Sequence, residues 1–186
     1  CLLPARSAKV FGLGWLLPSF VRDALDLLPA KISSGNLPET SPSSREPKGR
    51  AGFIEGCVMQ VMFADTNRAS LQLLNEAGWE VVTPLTQGCC GALYAHSGQL
   101  GKARECARAN IALFEEFNLD LIITNAAGCG STLKEYGSLL ANDPDWAERA
   151  VAFSSKVKDL TEHLNAPQFA ADDSNLKVTY HDACHL

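Results

Sequence analysis

From residue 51 onward the apolar positions switch between two rhythms. Ala51 to Glu55 is a short apolar run ending at Gly56-Cys57, and it reads as a strand. Between Asp65 and Ala77, apolar or small residues at Ala69, Leu71, Leu73, Leu74 and Ala77 fall close to helical spacing. Asp65 or Thr66 is placed to cap that helix and Gly78 to end it. Trp79 to Leu85 predicts a second strand, followed by the turn Gln87-Gly88-Cys89-Cys90-Gly91. Leu100 to Phe117 predicts a long helix. Leu119 to Thr124 predicts a third strand, apolar enough to be buried on both faces. Gly128-Cys129-Gly130 opens a helix through about Leu140, Asp143-Pro144-Asp145 starts another that extends to about Leu164, and Leu176 to Tyr180 predicts a fourth strand. This alternation predicts an α/β fold, a mainly parallel sheet with helices on both faces.

Upstream of residue 51 the pattern fades. Residues 33–50 hold three prolines, two glycines and five serines and read as an exposed linker. Before it, Val10 to Val21 is apolar but contains Pro18 and is too short for a membrane span, which needs roughly 20 residues. Nothing after it reads as a signal-peptide cleavage site, so residues 1–32 are expected to form a helical segment packing on another domain. Surface contact with a membrane is the sharper alternative for this stretch. The chain opens on Cys1 and closes on His181-Asp182-Ala183-Cys184-His185-Leu186, directly after a strand. It is therefore expected to be an internal piece of a longer protein.

Composition changes the picture only in part. The chain has 186 residues, and a hydrophobic share of 46% leaves enough apolar material for a core. Sixteen Lys+Arg against 21 Asp+Glu give a net charge of −5, which argues against nucleic acid as a partner. Seven cysteines is an odd number, and Cys89 and Cys90 are adjacent, so a simple disulfide framework fits poorly. Clustered cysteines of this kind more often bind metal or do redox chemistry.

Placed on the expected elements, Cys57 follows the first strand, Cys89 and Cys90 the second, Cys129 the third and Cys184 the fourth. In an open parallel sheet ligands gather outside the carboxyl ends of the strands, so five of the seven cysteines are expected at one edge. Thiolates are soft donors that favour iron–sulfur clusters, zinc or copper(I). Gly88, Gly91, Gly128 and Gly130 flank the thiols and would let the backbone approach closely. Cys129 near a helix start would have its thiolate favoured by the helix dipole. Structural zinc sites usually use compact Cys-x-x-Cys knuckles, which speaks against a zinc-stapled binding module.

The spacing is Cys57, 31 residues, Cys89-Cys90-Gly91, 37 residues, then Cys129. It resembles the cysteine-rich CCG domain of heterodisulfide reductases, lactate-utilisation iron–sulfur proteins and the iron–sulfur subunit of glycolate oxidase. The wording is most similar to the last, in Glu55-Gly56-Cys57-Val58, Gly88-Cys89-Cys90-Gly91-Ala92-Leu93, Ala103-Arg104, Ala109-Asn110-Ile111, Gly128-Cys129-Gly130-Ser131 and Lys134-Glu135-Tyr136-Gly137. Residues 51–175 would then be a first CCG domain, and residues 176–186, with His181-Asp182-Ala183-Cys184-His185, the opening of a second repeat. The resemblance implies a cluster, of the 4Fe-4S type, held by Cys57, Cys89, Cys90 and Cys129, with Cys184 as a further cofactor ligand. One position departs from the family pattern, which ends in Cys-x-x-Cys. Here that slot reads Ala126-Ala127-Gly128-Cys129. The missing thiolate favours electron relay over catalytic disulfide reduction.

The function so implied is an iron–sulfur electron-transfer subunit of a glycolate, or other 2-hydroxy-acid, dehydrogenase complex. It would relay electrons from a flavin-containing dehydrogenase subunit to a quinone-level acceptor, in the cytoplasm or peripherally at the inner face of the membrane. A heterodisulfide-reductase-like catalytic subunit and a lactate-utilisation protein are the alternatives. No Ser-His-Asp set, phosphate loop or dinucleotide fingerprint is present, so no organic catalytic residue is expected in this chain. Cys106, among Ala103, Ala107 and Ile111, reads as a buried core thiol. Trp79, Trp146 and Tyr136 read as core aromatics, His163 as a surface residue, and His96 as a solvated loop histidine or a hydrogen-bond partner of the cluster.

Overall fold

A computed structural model describes residues 18–26, 37–164 and the single positions 177 and 179. Of the expected fourth strand at Leu176 to Tyr180 only Lys177 and Thr179 are described; the ligand Cys184 and its neighbours His181 and His185 lie outside the described residues, as does Cys1. The helical elements are α1 (Ser19–Asp26), α2 (Cys57–Met62), α3 (Ala64–Glu76), α4 (Ala92–His96), α5 (Leu100–Glu115), α6 (Ala127–Lys134), α7 (Tyr136–Leu139), α8 (Ala147–Lys156) and α9 (Leu160–His163). The strands are β1 (Thr40–Ser41), β2 (Gly49–Ile54), β3 (Trp79–Val82), β4 (Leu121–Thr124) and β5 (Val157–Asp159).

The strands form one sheet in the order β1-β3-β2-β4-β5. β1 pairs antiparallel with β3, and the other three pairings are parallel. The fold is thus α/β with a mostly parallel sheet, as the alternation predicts. Side-chain alternation divides the core in two. On one face Ala51, Phe53, Val81, Leu121 and Ile123 pack against Leu71 and Leu74 of α3, with Leu37 and Leu160 at the margins. On the other, Ile54, Val82 and Ile122 pack against Ala107, Ile111 and Phe114 of α5, Tyr136 of α7 and Phe153 of α8. Phe53 and Ile123 are fully buried. Full burial of one such side chain is worth about 1.5–3 kcal/mol, so these three central strands hold the sheet together.

Two short strands escape the sequence pattern. The helix expected from residue 143 to 164 breaks at Val157, where the backbone turns extended and pairs Val157 with Ile122. The buried Val157 gives the open side of β4 a partner. Helix α9 then restarts behind Asp159, whose carboxylate accepts the Thr161 N–H at 2.9 Å while Glu162 reaches back to the Asp159 N–H. Within residues 33–50, Thr40 and Ser41 form the edge strand β1, and Leu37 is buried. The helix expected from Cys129 to Leu140 is interrupted at Glu135, between α6 and α7. Among the described residues no helix is long and apolar enough to cross a membrane.

Candidate metal centre

The parallel strands β2, β3 and β4 run in one direction, so their following loops meet at one sheet edge. Cys57 is the first residue of α2, after β2; Cys89 and Cys90 lie in the loop after β3; Cys129 sits in the first turn of α6, after β4. The Cys57 and Cys89 sulfurs are 3.9 Å apart, and the Cys90 and Cys129 sulfurs 3.2 Å apart. Cys57 and Cys89 in turn act electrostatically on Cys129, so the two pairs share one neighbourhood. All four are free thiols. Residues 72 positions apart in sequence, Cys57 and Cys129, thus reach one place, as the strand-end distribution predicts.

The pairs differ in environment. Cys57 is exposed, Cys89 and Cys129 are partly buried, and Cys90 is buried. The Cys90 thiol donates to Cys129; that bond, with burial added, pushes Cys90 far up, and the same bond, against the opposing effect of burial, holds Cys129 below the usual thiol range. Desolvation of its sulfur, followed by the nearby Cys89, raises Cys57. The chemistry of the donor set is uniform: four soft sulfurs. Among the described residues no three His, Cys, Asp or Glu side chains are arranged to hold a single metal ion. Four soft sulfurs are the ligand chemistry that an iron–sulfur cluster takes.

The loops are held by neutral side chains. The Glu55 N–H donates to Gln87 Oε1 at 3.0 Å, and Gln87 Nε2 donates back to the carbonyl oxygens of Phe53 and Pro84 at 3.3 and 3.2 Å. Gln87 therefore ties the end of β2 to the loop that carries Cys89 and Cys90. Asn67 Nδ2 donates to the Glu55 carbonyl at 3.0 Å, and Asn125 Nδ2 donates to Asn67 Oδ1 and Ser70 Oγ, both at 2.9 Å. This second link joins the β2 loop to the β4 loop through α3. Asn110 Nδ2 donates to the Cys89 carbonyl at 3.0 Å, and the Tyr136 hydroxyl donates to the Cys90 carbonyl at 2.7 Å. The sequence assigns none of these side chains a role at the site, although Asn110 and Tyr136 fall within stretches that carry the family resemblance. The available signal was an amide inside an apolar helical stripe: Asn67 with Ala64, Leu71 and Leu74, and Asn110 with Ala103, Ala107 and Phe114.

Several expectations change at this edge. Gly56 and Gly91 adopt φ of +70° and +86°, where a side chain is strained. A Cβ on Gly91 would also stand 3.2 Å from the Cys106 Cβ. A Cβ at Gly88 or Gly128 would meet no other atom of the protein within 4 Å. Cys106 is half-buried rather than a core thiol, because the inward stripe of α5 runs through Ala103, Ala107, Asn110 and Phe114, one position aside. Burial and the nearby Cys90 raise its thiol. His96 is exposed at the end of α4. His163 is half-buried, edge-on to Trp79 at 5.1 Å, and not a simple surface residue. Tyr136 is fully buried as expected, while Trp79 and Trp146 are half-buried. Ala126 occupies the position before α6, its N–H donating to Thr124 Oγ1 at 3.3 Å.

A parallel α/β sheet that gathers four thiols at its carboxyl edge defines a thiol-rich α/β domain. The chain belongs to the CCG, or cysteine-rich domain, family, whose signature matches residues 51–134. It is 44% identical over 178 residues to the probable glycolate oxidase iron-sulfur subunit of Bacillus subtilis, covering 92% of this chain and 40% of that protein. It is 35% identical to a fumarate reductase (CoM/CoB) subunit of Methanothermobacter marburgensis over 76% of this chain and 27% of that one. It is 31% identical to lactate utilization protein A of Oceanobacillus iheyensis over 70% of this chain and 54% of that one. The chain thus spans between about a quarter and a half of the length of these relatives.

Proposed function

We propose that this chain is the cluster-carrying part of an iron–sulfur subunit in a 2-hydroxy-acid oxidoreductase of the glycolate oxidase type. The observation that carries this reading is the meeting of Cys57, Cys89, Cys90 and Cys129 from three loops at one sheet edge. The names of the Bacillus subtilis and Oceanobacillus iheyensis relatives support an iron–sulfur role in hydroxy-acid oxidation. The four thiolates would hold the cluster, of the 4Fe-4S type, with Cys184 as a further ligand. When bound, the cluster supplies one-electron transfer. The chain's own residues do the rest: the thiols bind, Gln87 and Asn67 fix the β2 loop, and the Gly91 N–H, 3.4 Å from the Cys89 sulfur, offers that sulfur a donor. Electrons would arrive from a flavin-containing dehydrogenase subunit and leave toward a quinone-level acceptor, in the cytoplasm or at the inner membrane face. In this reading residues 1–32 pack on a ferredoxin-like domain, residues 33–50 lead from it into a first CCG domain over 51–175, and residues 176–186 open a second repeat. Ala126, where the family pattern carries a cysteine, disfavours the disulfide-reductase alternative.

Iron and acid-labile sulfide analysis of anaerobically reconstituted protein tests the reading. Both should be present in the wild type, with broad brown absorbance, and both should be lost in Cys90→Ser. In the full complex that variant should leave flavin bleaching by the hydroxy acid intact and abolish reoxidation by quinone. One equivalent of zinc without sulfide would overturn the assignment.

A further inference from the structure

Tyr136 is completely buried, yet it carries a hydroxyl. A core position needs only the ring, which stacks on Phe153 with centroids 5.5 Å apart. Burying the hydroxyl is unfavourable unless it is bonded, and the fold bonds it twice. It donates to the Cys90 carbonyl at 2.7 Å and accepts from Asn110 Nδ2 at 3.1 Å. The same Asn110 nitrogen donates to the Cys89 carbonyl at 3.0 Å. Asn110 is itself only 3% exposed, so water does not compete for these bonds. Donors that feed one another in a dry site reinforce each other.

The bonds fall on successive peptide groups of the cysteine loop. In a trans peptide the carbonyl and the N–H point in opposite directions, so fixing one aims the other. Among the described residues no peptide is cis. Pulling the Cys90 carbonyl into the core, toward Tyr136, therefore turns the Gly91 N–H outward. That N–H lies 3.4 Å from the Cys89 sulfur. Pulling the Cys89 carbonyl toward Asn110 turns the Cys90 N–H to the same side.

We infer that Tyr136 and Asn110 are positioning residues that orient the two peptide planes of Cys89-Cys90-Gly91, so that the Gly91 N–H serves the Cys89 sulfur. The inference rests on the iron–sulfur reading for its consequence, because N–H donors to cluster sulfurs raise the reduction potential and strengthen the hold on the metal. Neither residue touches the cofactor in this scheme. Both act through the loop.

The test compares Tyr136→Phe, Asn110→Leu and a control, Phe153→Leu, in the full chain. The control removes the ring beside Tyr136 and keeps the hydroxyl. After anaerobic reconstitution with iron and sulfide, iron loss to a chelator, reduction potential and Tm are measured. Tyr136→Phe should lose iron about tenfold faster than wild type, the scale typical of outer partners of metal ligands, and should shift the potential negative. Asn110→Leu should do the same. The two changes together should add less than the product of each, because one bond chain is cut twice. Wild-type rates and potential in Tyr136→Phe would overturn the inference. So would a Phe153→Leu variant of equal Tm that loses iron as fast, since the hydroxyl would then act through stability alone.

A second readout needs no cluster. In metal-free protein, oxidised glutathione can bridge Cys90 and Cys129. One thiolate displaces a glutathione thiolate, the other thiolate displaces the second, and two reduced glutathiones leave per disulfide formed. With the loop held, the sulfurs stand 3.2 Å apart and bridging should be fast. Tyr136→Phe should slow it severalfold, and an unchanged rate would overturn the positioning role. A wild-type protein that takes up no iron or sulfide would sink the proposed function while this thiol measurement still decided the clamp.

Discussion

At the amino ends of the strands the chain is tied by charge, and around the four thiols, at the carboxyl ends of β2, β3 and β4, by neutral amides and hydroxyls. Arg50 Nε meets Glu80 Oε1 at 2.7 Å, the Arg50 N–H donates to Asp120 Oδ2 at 2.8 Å, and Lys156 Nζ donates to the Leu119 carbonyl at 2.7 Å. On the opposite edge the loops are pinned by Gln87, Asn67, Asn125, Asn110 and Tyr136. The difference follows from what each edge has to do. A charged pair at a wet edge is screened and cheap to exchange. A cation beside four thiols would bias their ionisation and any cofactor they hold. Neutral donors fix the loops without that bias, and burial keeps their bonds free of competing water. The carboxyl edge is thus expected to be sensitive to single atoms, and the amino edge tolerant.

Two glycines give the sharpest way to break that contrast, because both flank a thiol. Gly91 sits at φ +86°, with a new Cβ only 3.3 Å from the Ala103 carbonyl oxygen. Gly91→Ala should cost about 1–3 kcal/mol in urea denaturation. Gly128 lies inside α6 with nothing within 4 Å of a new Cβ. Gly128→Ala should be neutral or stabilise by up to about 1 kcal/mol through helix propensity. Equal losses at both positions would mean that the loop backbone is not what distinguishes them.

How far the sequence reveals this edge depends on how many residues carry each signal. The central strands were legible because Phe53-Ile54, Val81-Val82 and Leu121-Ile122-Ile123 are apolar on both faces. The thiol edge was legible because strand–helix alternation forces the loops after parallel strands to one side. β1 and β5, of two and three residues, were not. So few residues carry no period, and Val157-Lys158-Asp159 continues a helical run until the open side of β4 captures it. Asn110 and Tyr136 stayed hidden for another reason. Their partners are backbone carbonyls 21 and 46 positions away, and main-chain atoms leave no mark on residue identity. Only the misplaced polarity of an asparagine in an apolar stripe betrayed the first of them.

The amino edge should answer more quietly. Arg50 and Glu80 are each about one-third exposed, at 39% and 33%, so the pair is partly screened. Arg50→Ala should cost about 0.2–1 kcal/mol at low salt, with most of that loss gone in 1 M salt. Iron and sulfide content should stay at the wild-type level. A drop in cluster content with this variant would show that the two edges are coupled after all.

The smallest effect is expected from His163, packed against Trp79 at the start of β3. Burial lowers its pKa from the ordinary 6.5, and Lys48 and Lys158 push in the same sense. The folded chain therefore binds this proton less readily than the unfolded chain. The contribution is fully present above the unfolded value of 6.5 and is lost as pH falls through it toward the lower folded value. His163→Gln cannot titrate, so its Tm should fall less than that of wild type between pH 8 and pH 5.5. Glu162 also shifts, downward, through its hydrogen bond to Lys134. Its loss of stability on acidification begins only around its ordinary 4.5 and stays outside this window. Glu55, raised by burial, titrates in both proteins and cancels in the difference. Parallel Tm curves for wild type and variant would place the His163 ring in solvent, and the edge contact with Trp79 would carry no weight in the fold.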